Sequence, residues 1–360
     1  MKRQKTATEY PVYDRGRVLD PLNPGVAARY KLNDIFCSSW LSHAISAVVV
    51  LGVPDALTDE EPKHFSSLAE QTNTHAPTLY RVLRALAANG IFRENEEGWF
   101  QHTDISRLLR GSDPYSWSGM ARMWNHPSCL SAWTEHSNSL RDGRSGIEHA
   151  FGKPLYEHLH DNPSATRAFA EAMVSNSAHA ASSIAREFPF QNYCSVVDLG
   201  GGVGTLILAI LEAHPHLNGV IFEIPDLESQ TRENIAHHNL TSRCDVARGD
   251  FFEHIPDGAD LYLVKNSLWN WSDELCLKIM KNVREALGRQ CVEGRFVIVE
   301  YMIDSDNAPW TTLYDLQILN MPGGRARTLS EYKTLLGEAG FVVEEVMHVE
   351  DQTLIVAKPA

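Results

Sequence analysis

The stretch VVDLGGGVGT closes an apolar run and opens a helical one, with Asp198 followed by Gly200, Gly201, Gly202 and Gly204. Glycines at such a junction let the backbone turn tightly and let a ligand approach the main chain without meeting a Cβ. The next apolar run, IFEIPDL, ends with Glu223, a carboxylate placed to accept both hydroxyls of a ribose. A pyrophosphate would favour the positive end of the following helix, but Asp198 makes this turn acidic and repels one. Two more run ends agree. RGDFFE offers Asp250 for an adenine amine and Phe251 for an adenine face, and Lys265 follows in LYLVKN. Ligands of open α/β sheets bind outside the carboxyl ends of the strands, so these residues are expected to converge on one nucleoside that carries an ammonium group. S-adenosylmethionine answers that description.

The elements that must position them alternate. CSVVDLG, GVIFEI, CDVARGD, DLYLVKN and GRFVIVEYMI read as strands, with TLILAILEAH, ESQTRENIAHH and ELCLKIMKNVREAL as intervening helices. This rhythm predicts an α/β fold, a doubly wound Rossmann-like sheet with helices on both faces. FVVEEVMHVE and QTLIVAKP, tightly joined around Asp351 and Gln352, predict a closing hairpin. Upstream, a short helix, a turn, a helix over Pro77 to Asn89 and two strands, Ile91 to Arg93 and Gly98 to His102, predict a winged helix. Arg81 and Arg84 on its second helix could address DNA. The acidic wing RENEEG favours an interaction module instead. Residues 1–112 are thus expected to form a helical winged-helix domain, 113–187 a helical linker, and 188–360 the nucleoside-binding domain.

Composition narrows the partners. A formal net charge of -14 argues against a polyanion, because phosphate binding needs a basic face. No apolar run reaches the roughly 18 to 20 residues of a membrane span, and AISAVVVLGV is too short. The start, MKRQKTATEYPVYDRGR, lacks the apolar segment of a signal peptide, so a cytoplasmic protein is expected. Six scattered cysteines, Cys37, Cys129, Cys194, Cys244, Cys276 and Cys291, show no C-x-x-C pair and read as reduced thiols. No metal motif is found among the histidines; His158 and His160 in YEHLHD read as surface polar residues.

Across nearly its whole length the chain resembles the caffeic acid-type O-methyltransferases, in the winged-helix region, VVDLGGGVGT, FEIPDL, GDFFE, VKNSLWNWSDE and MPGGRARTLSEYKTLLGEAGF. The resemblance implies a homodimer and an S-adenosylmethionine site made by Gly200, Gly202, Glu223, Asp250, Phe251 and Lys265, with Ser177 as an extra contact. It also implies that Phe169, Met173 and Asn176 face the acceptor, expected to be a small, partly aromatic or polyketide-like metabolite in a pocket that Met123, Trp124, His126, Trp269 and Met321 also line.

The pattern breaks where proton chemistry is expected. The family reads His-Asp-Trp-Ser-Asp, its histidine acting as the base; this chain reads Trp269-Asn270-Trp271-Ser272-Asp273. Indole cannot take a proton. The glutamate that orients the histidine is here Ala326, and of the flanking acids only Glu300 is retained. His126 is the one histidine that could replace the base. Trp271 is expected to pack in the core, Ser272 to cap a helix and Asp273 to favour its positive end. A general base contributes roughly 10² to 10⁴ in rate, whereas positioning supplies about 7 to 11 kcal/mol. Methyl transfer to an acceptor needing no deprotonation, such as a ring nitrogen, a thiolate or an acidic phenol, is therefore expected. The alternative is a pericyclase, cyclase, dehydratase or hydroxylase that keeps the cofactor as a fixed positive charge, with Trp269 as a shape-setting wall.

Overall fold

The computed structural model describes residues 24–224, 227–288, 293–303 and 308–360; the polar N-terminal tail and Cys291 lie outside them. The chain divides into two compact units between Asn125 and His126.

The first unit opens with the helix Pro24–Val50. Leu32, Ile35, Phe36 and Trp40 of this helix are exposed, Phe36 and Trp40 by about two thirds. The winged helix follows: strand β1 (Lys63–His64), the helices Phe65–Gln71 and Ala76–Ala88, and strands β2 (Phe92–Glu96) and β3 (Trp99–His102), in the order β1-β3-β2. Leu79, Leu83 and Leu86 bury one face of the second helix, the i, i+4, i+7 spacing that an amphipathic helix requires. Asn89 ends it, and Gly90 at φ 77° turns the chain into β2.

In the second unit four short helices precede the long helix Pro163–Glu187. Seven strands then form one sheet: β4 (Ser195–Leu199), β5 (Asn218–Glu223), β6 (Cys244–Arg248), β7 (Leu261–Lys265), β8 (Arg295–Glu300), β9 (Phe341–Val349) and β10 (Gln352–Pro359). The spatial order is β6-β5-β4-β7-β8-β10-β9, parallel except for β10, which runs antiparallel to both β8 and β9. The order reverses direction at β4, so the loops after β4 and β7 diverge and leave a crevice. Alternate residues of each strand feed two cores. Val196, Leu261, Leu263 and Val297 face the helices Pro163–Glu187 and Thr205–Ala213. Val197, Tyr262, Val264 and Phe296 face the helices Asp273–Gly288 and Leu329–Glu338. Burial on both faces explains why the central strands read as continuous apolar runs.

Two expectations need correction. The hairpin turn is Glu350–Asp351, with Glu350 at φ 56°, while Gln352 already pairs with Val349. His158 is buried, not superficial: its Nε2 meets Ser128 Oγ at 2.8 Å and its ring packs on Phe151. His160 is exposed, as read. Among the described residues no helix is long and apolar enough to cross a membrane.

Candidate active site

The glycine turn takes backbone conformations that L side chains rarely adopt, with φ 67° at Gly200 and 58° at Gly202. Gly202 N donates to Glu223 Oε2 at 2.8 Å and Ile224 N to Oε1 at 2.8 Å, so the acid at the end of β5 is aimed across the turn. A Cβ on Gly200 would lie 3.4 Å from Ser267 Oγ and 3.6 Å from Phe251 Cε1, and space beyond Gly202 is open. The residues at the ends of β4, β5, β6 and β7 therefore converge. Asp250 is exposed and accepts from Phe252 N at 2.8 Å, which fixes the turn that carries Phe251.

Beneath this groove Asp198 is enclosed, and its Oδ2 has no hydrogen-bond partner among the described residues. Burial pushes its carboxyl up to about 7, opposed by the Lys265 charge. Lys265 Nζ donates to Ser177 Oγ at 3.1 Å, and burial lowers its ammonium to about 8. Ser177 shares a face of the long helix with Phe169, Met173 and Asn176, at the i, i+4, i+7, i+8 positions. Phe169 packs with Met321, Leu155 and Cys129, so one helix serves both the groove and the apolar wall beside it. Met123 and Trp124 lie in the first unit, on the helix Ser118–Trp124, where Met123 is buried and Trp124 leans on Trp117 at 6.1 Å.

The segment after β7 sends its three consecutive side chains to three places. Trp269, 4% exposed, packs with Tyr301, Tyr314, Ile318 and Ala326. Ring centroids separated by 5.6 Å (Trp269 to Tyr301), 5.0 Å (Trp269 to Tyr314) and 6.1 Å (Tyr301 to Tyr314) make a nearly equilateral triangle. Both phenol rings therefore lie to one side of the indole instead of sandwiching it. Ala326 in the same cluster explains a paired change: the small side chain leaves room for the large one. Asn270 Nδ2 donates to Tyr156 Oη at 3.0 Å. Trp271 stacks on Tyr156 at 5.3 Å and meets the edges of Phe251 and Phe252, its buried Nε1 unpartnered among the described residues. It thus joins the groove instead of serving the core alone.

Two buried groups hold this segment. Glu300 accepts from Trp269 N at 3.0 Å on Oε1 and from Tyr332 Oη on Oε2, and burial pushes its carboxyl up to about 7. Its oxygens are committed to the backbone and the tyrosine, which makes it an anchor of the Trp269 segment. Arg327, fully buried, donates to Leu268 O at 3.2 Å, Trp271 O at 2.7 Å and Asp273 Oδ1 at 2.8 Å. Ser272 caps the next helix, accepting from Leu275 N at 3.3 Å. His126 also caps a helix: Nδ1 accepts from Ser128 N at 3.2 Å and Nε2 lies 2.9 Å from Ser164 Oγ. With both ring nitrogens engaged and burial lowering its pKa, His126 has no nitrogen left for an acceptor.

Tyr156, Arg327, Tyr301 and Tyr314 escaped the sequence reading. PLYEHLHD gives no sign of Tyr156, and Arg327, the second arginine of GGRART, reads as one more surface charge until the fold buries it.

Comparison with known proteins agrees with this geometry. A family profile described as an O-methyltransferase domain matches residues 133–342, and one described as an O-methyltransferase dimerisation domain matches 33–112. The chain is 35% identical over 329 residues to the mitomycin biosynthesis 6-O-methyltransferase of Streptomyces lavendulae, covering 90% of this chain and 93% of that one. It is 30% identical to the phenazine-1-carboxylate N-methyltransferase of Pseudomonas aeruginosa, covering 94% and 99%. The structure of the mitomycin 7-O-methyltransferase superposes with a TM-score of 0.84 at 34% identity, covering 94% and 100%. The chain is an enzyme of the S-adenosylmethionine-dependent O-methyltransferase family.

Proposed function

We propose that this enzyme methylates a small aromatic natural-product acceptor that needs no histidine base. The observation that carries the reading is Trp269: an indole packed on Tyr301 and Tyr314 stands in the segment where the family's base is expected, beside a groove whose other parts are present. The orphaned Asp198 Oδ2 and Trp271 Nε1 and the open space at Gly202 fit a nucleoside there. Gly200, Gly202, Glu223, Asp250, Phe251, Lys265 and Ser177 would hold it. Bound there, S-adenosylmethionine would supply an electrophilic methyl group for the acceptor's lone pair, with S-adenosylhomocysteine as the leaving group. Glu223 orients through the turn, Lys265 carries positive charge opposite Ser177, and the Phe169, Met173 and Met321 wall excludes water. Trp269 and Asn176 complete the acceptor side. The exposed apolar face of Pro24–Val50 supports a homodimer formed through the first unit.

The test is incubation of metabolite extracts with the enzyme and methyl-deuterated cofactor. A metabolite gaining the labelled methyl, with S-adenosylhomocysteine formed alongside, is expected. A product at unchanged mass with the cofactor unconsumed would overturn methyl transfer and favour a rearrangement.

A further inference from the structure

Tyr156 stands between the two halves of the site. One face of its ring stacks on Trp271 with planes 16° apart, and Trp271 in turn meets Phe251 at the groove. Tyr156 also packs against the cluster of Cys129, Leu155 and Met321, the wall that Phe169 shares. Its hydroxyl receives the Asn270 amide at 3.0 Å. Burial and the nearby Glu223 charge hold the phenol protonated. The pair is therefore neutral and rich in donors, offering the phenolic O–H and the second amide N–H.

The carboxylates around this junction are occupied. Glu223 accepts from Gly202 and Ile224, Glu300 from Trp269 and Tyr332, Asp315 from Ala326 N at 2.6 Å, and Asp273 and Glu331 pair with Arg325. The residues on either side of Asn270 add only indole rings. A negatively charged ligand arriving here meets two uncharged donors, and the carboxylate whose charge reaches Tyr156, Glu223, is already held by two backbone N–H groups. Hydrogen bonds to an ionised acceptor are roughly twice as strong as neutral ones, and juxtaposed like charges are the usual means of rejecting a wrong partner.

We propose that Tyr156 and Asn270 select an acceptor that enters the site already ionised, an aromatic oxyanion. This rests on the methyl-transfer reading for its location and narrows it: the missing base and the neutral pair are two sides of one adaptation, since an oxyanion has no proton to give up.

The test separates binding from transfer. Protein saturated with S-adenosylhomocysteine is titrated calorimetrically with 4-nitrophenol below and above its ionisation, and with 4-nitroaniline as an uncharged counterpart. The ionised phenol is expected to bind at least about tenfold more tightly than either neutral form. Asn270→Asp should abolish that preference, and Tyr156→Phe, a variant that keeps the ring stack, should reduce it severalfold. Equal affinity for the two forms, binding of neither, or a preference untouched by both substitutions would overturn the proposal. An intact preference without methyl product from S-adenosylmethionine overturns the transfer reading and leaves the anion selection standing.

Discussion

Replacing Trp269 by alanine removes an indole enclosed by Tyr301, Tyr314, Ile318 and Ala326. Truncating a buried tryptophan or phenylalanine costs about 3–5 kcal/mol, from lost transfer energy plus the cavity left behind. The two ring contacts are worth a further 0.5–1.5 kcal/mol each, roughly, beyond the buried area. Collapse into the gap is hindered, because Trp269 N is fixed on Glu300 and Trp269 O accepts from Arg325 N at 2.8 Å. The upper part of the range is therefore expected. For a unit of this size 1 kcal/mol shifts Tm by about 2–4 °C, so calorimetric scans at one protein concentration without cofactor should show Tm about 10 °C lower or more. The ring leans on Tyr301 and Tyr314, not on Phe251, so affinity for S-adenosylhomocysteine should stay within about twofold. A Tm shift below about 2 °C would refute the packing argument. A tenfold loss of cofactor affinity at unchanged Tm would place the indole in the groove.

Gly324→Ala would set a Cβ 2.0 Å from Trp269 O, a backbone atom with nowhere to move; scanning calorimetry should show a loss of more than about 2 kcal/mol, and a neutral result would contradict the close approach. Glu300 has a folded pKa of about 7 against an ordinary 4.5, so its contribution to stability is complete below 4.5 and is lost as pH rises through 7. Urea unfolding at pH 5 and pH 8 should show the wild type less stable at pH 8, and Glu300→Gln, which mimics the protonated carboxyl, should remove part of that difference. Lys265 loses its charge near pH 8, so affinity for S-adenosylhomocysteine should weaken above that pH; Lys265→Met should bind more weakly throughout and lose the dependence, and an unchanged pH profile in the variant would dissociate Lys265 from cofactor binding. Arg327→Met should leave the Trp271 carbonyl with only the Cys276 thiol at 3.7 Å and lower Tm, since a poorly partnered buried polar group costs about 1–3 kcal/mol.

Periodicity and punctuation determined the sheet. Val196 through Leu199 and Leu261 through Val264 had to be strands buried on both faces, and the glycine turn with Glu223 and Lys265 at later strand ends had to converge, because parallel strands present their carboxyl ends to one side. The burial of His158 was not legible, since it depends on a partner 30 positions away, Ser128, and the turn was read one residue late because nothing local marks Gln352 as already paired with Val349. The sequence also exposed the substitutions at Trp269, Asn270 and Ala326 without giving them geometry. Only tertiary structure decided that Trp269 and Ala326 trade volume in one aromatic cluster, that Asn270 reaches Tyr156 across 114 positions of chain, and that Glu300 and Arg327 grip the segment between them. Local patterns report which face of an element is apolar; which distant side chain completes a hydrogen bond is set only when the elements pack.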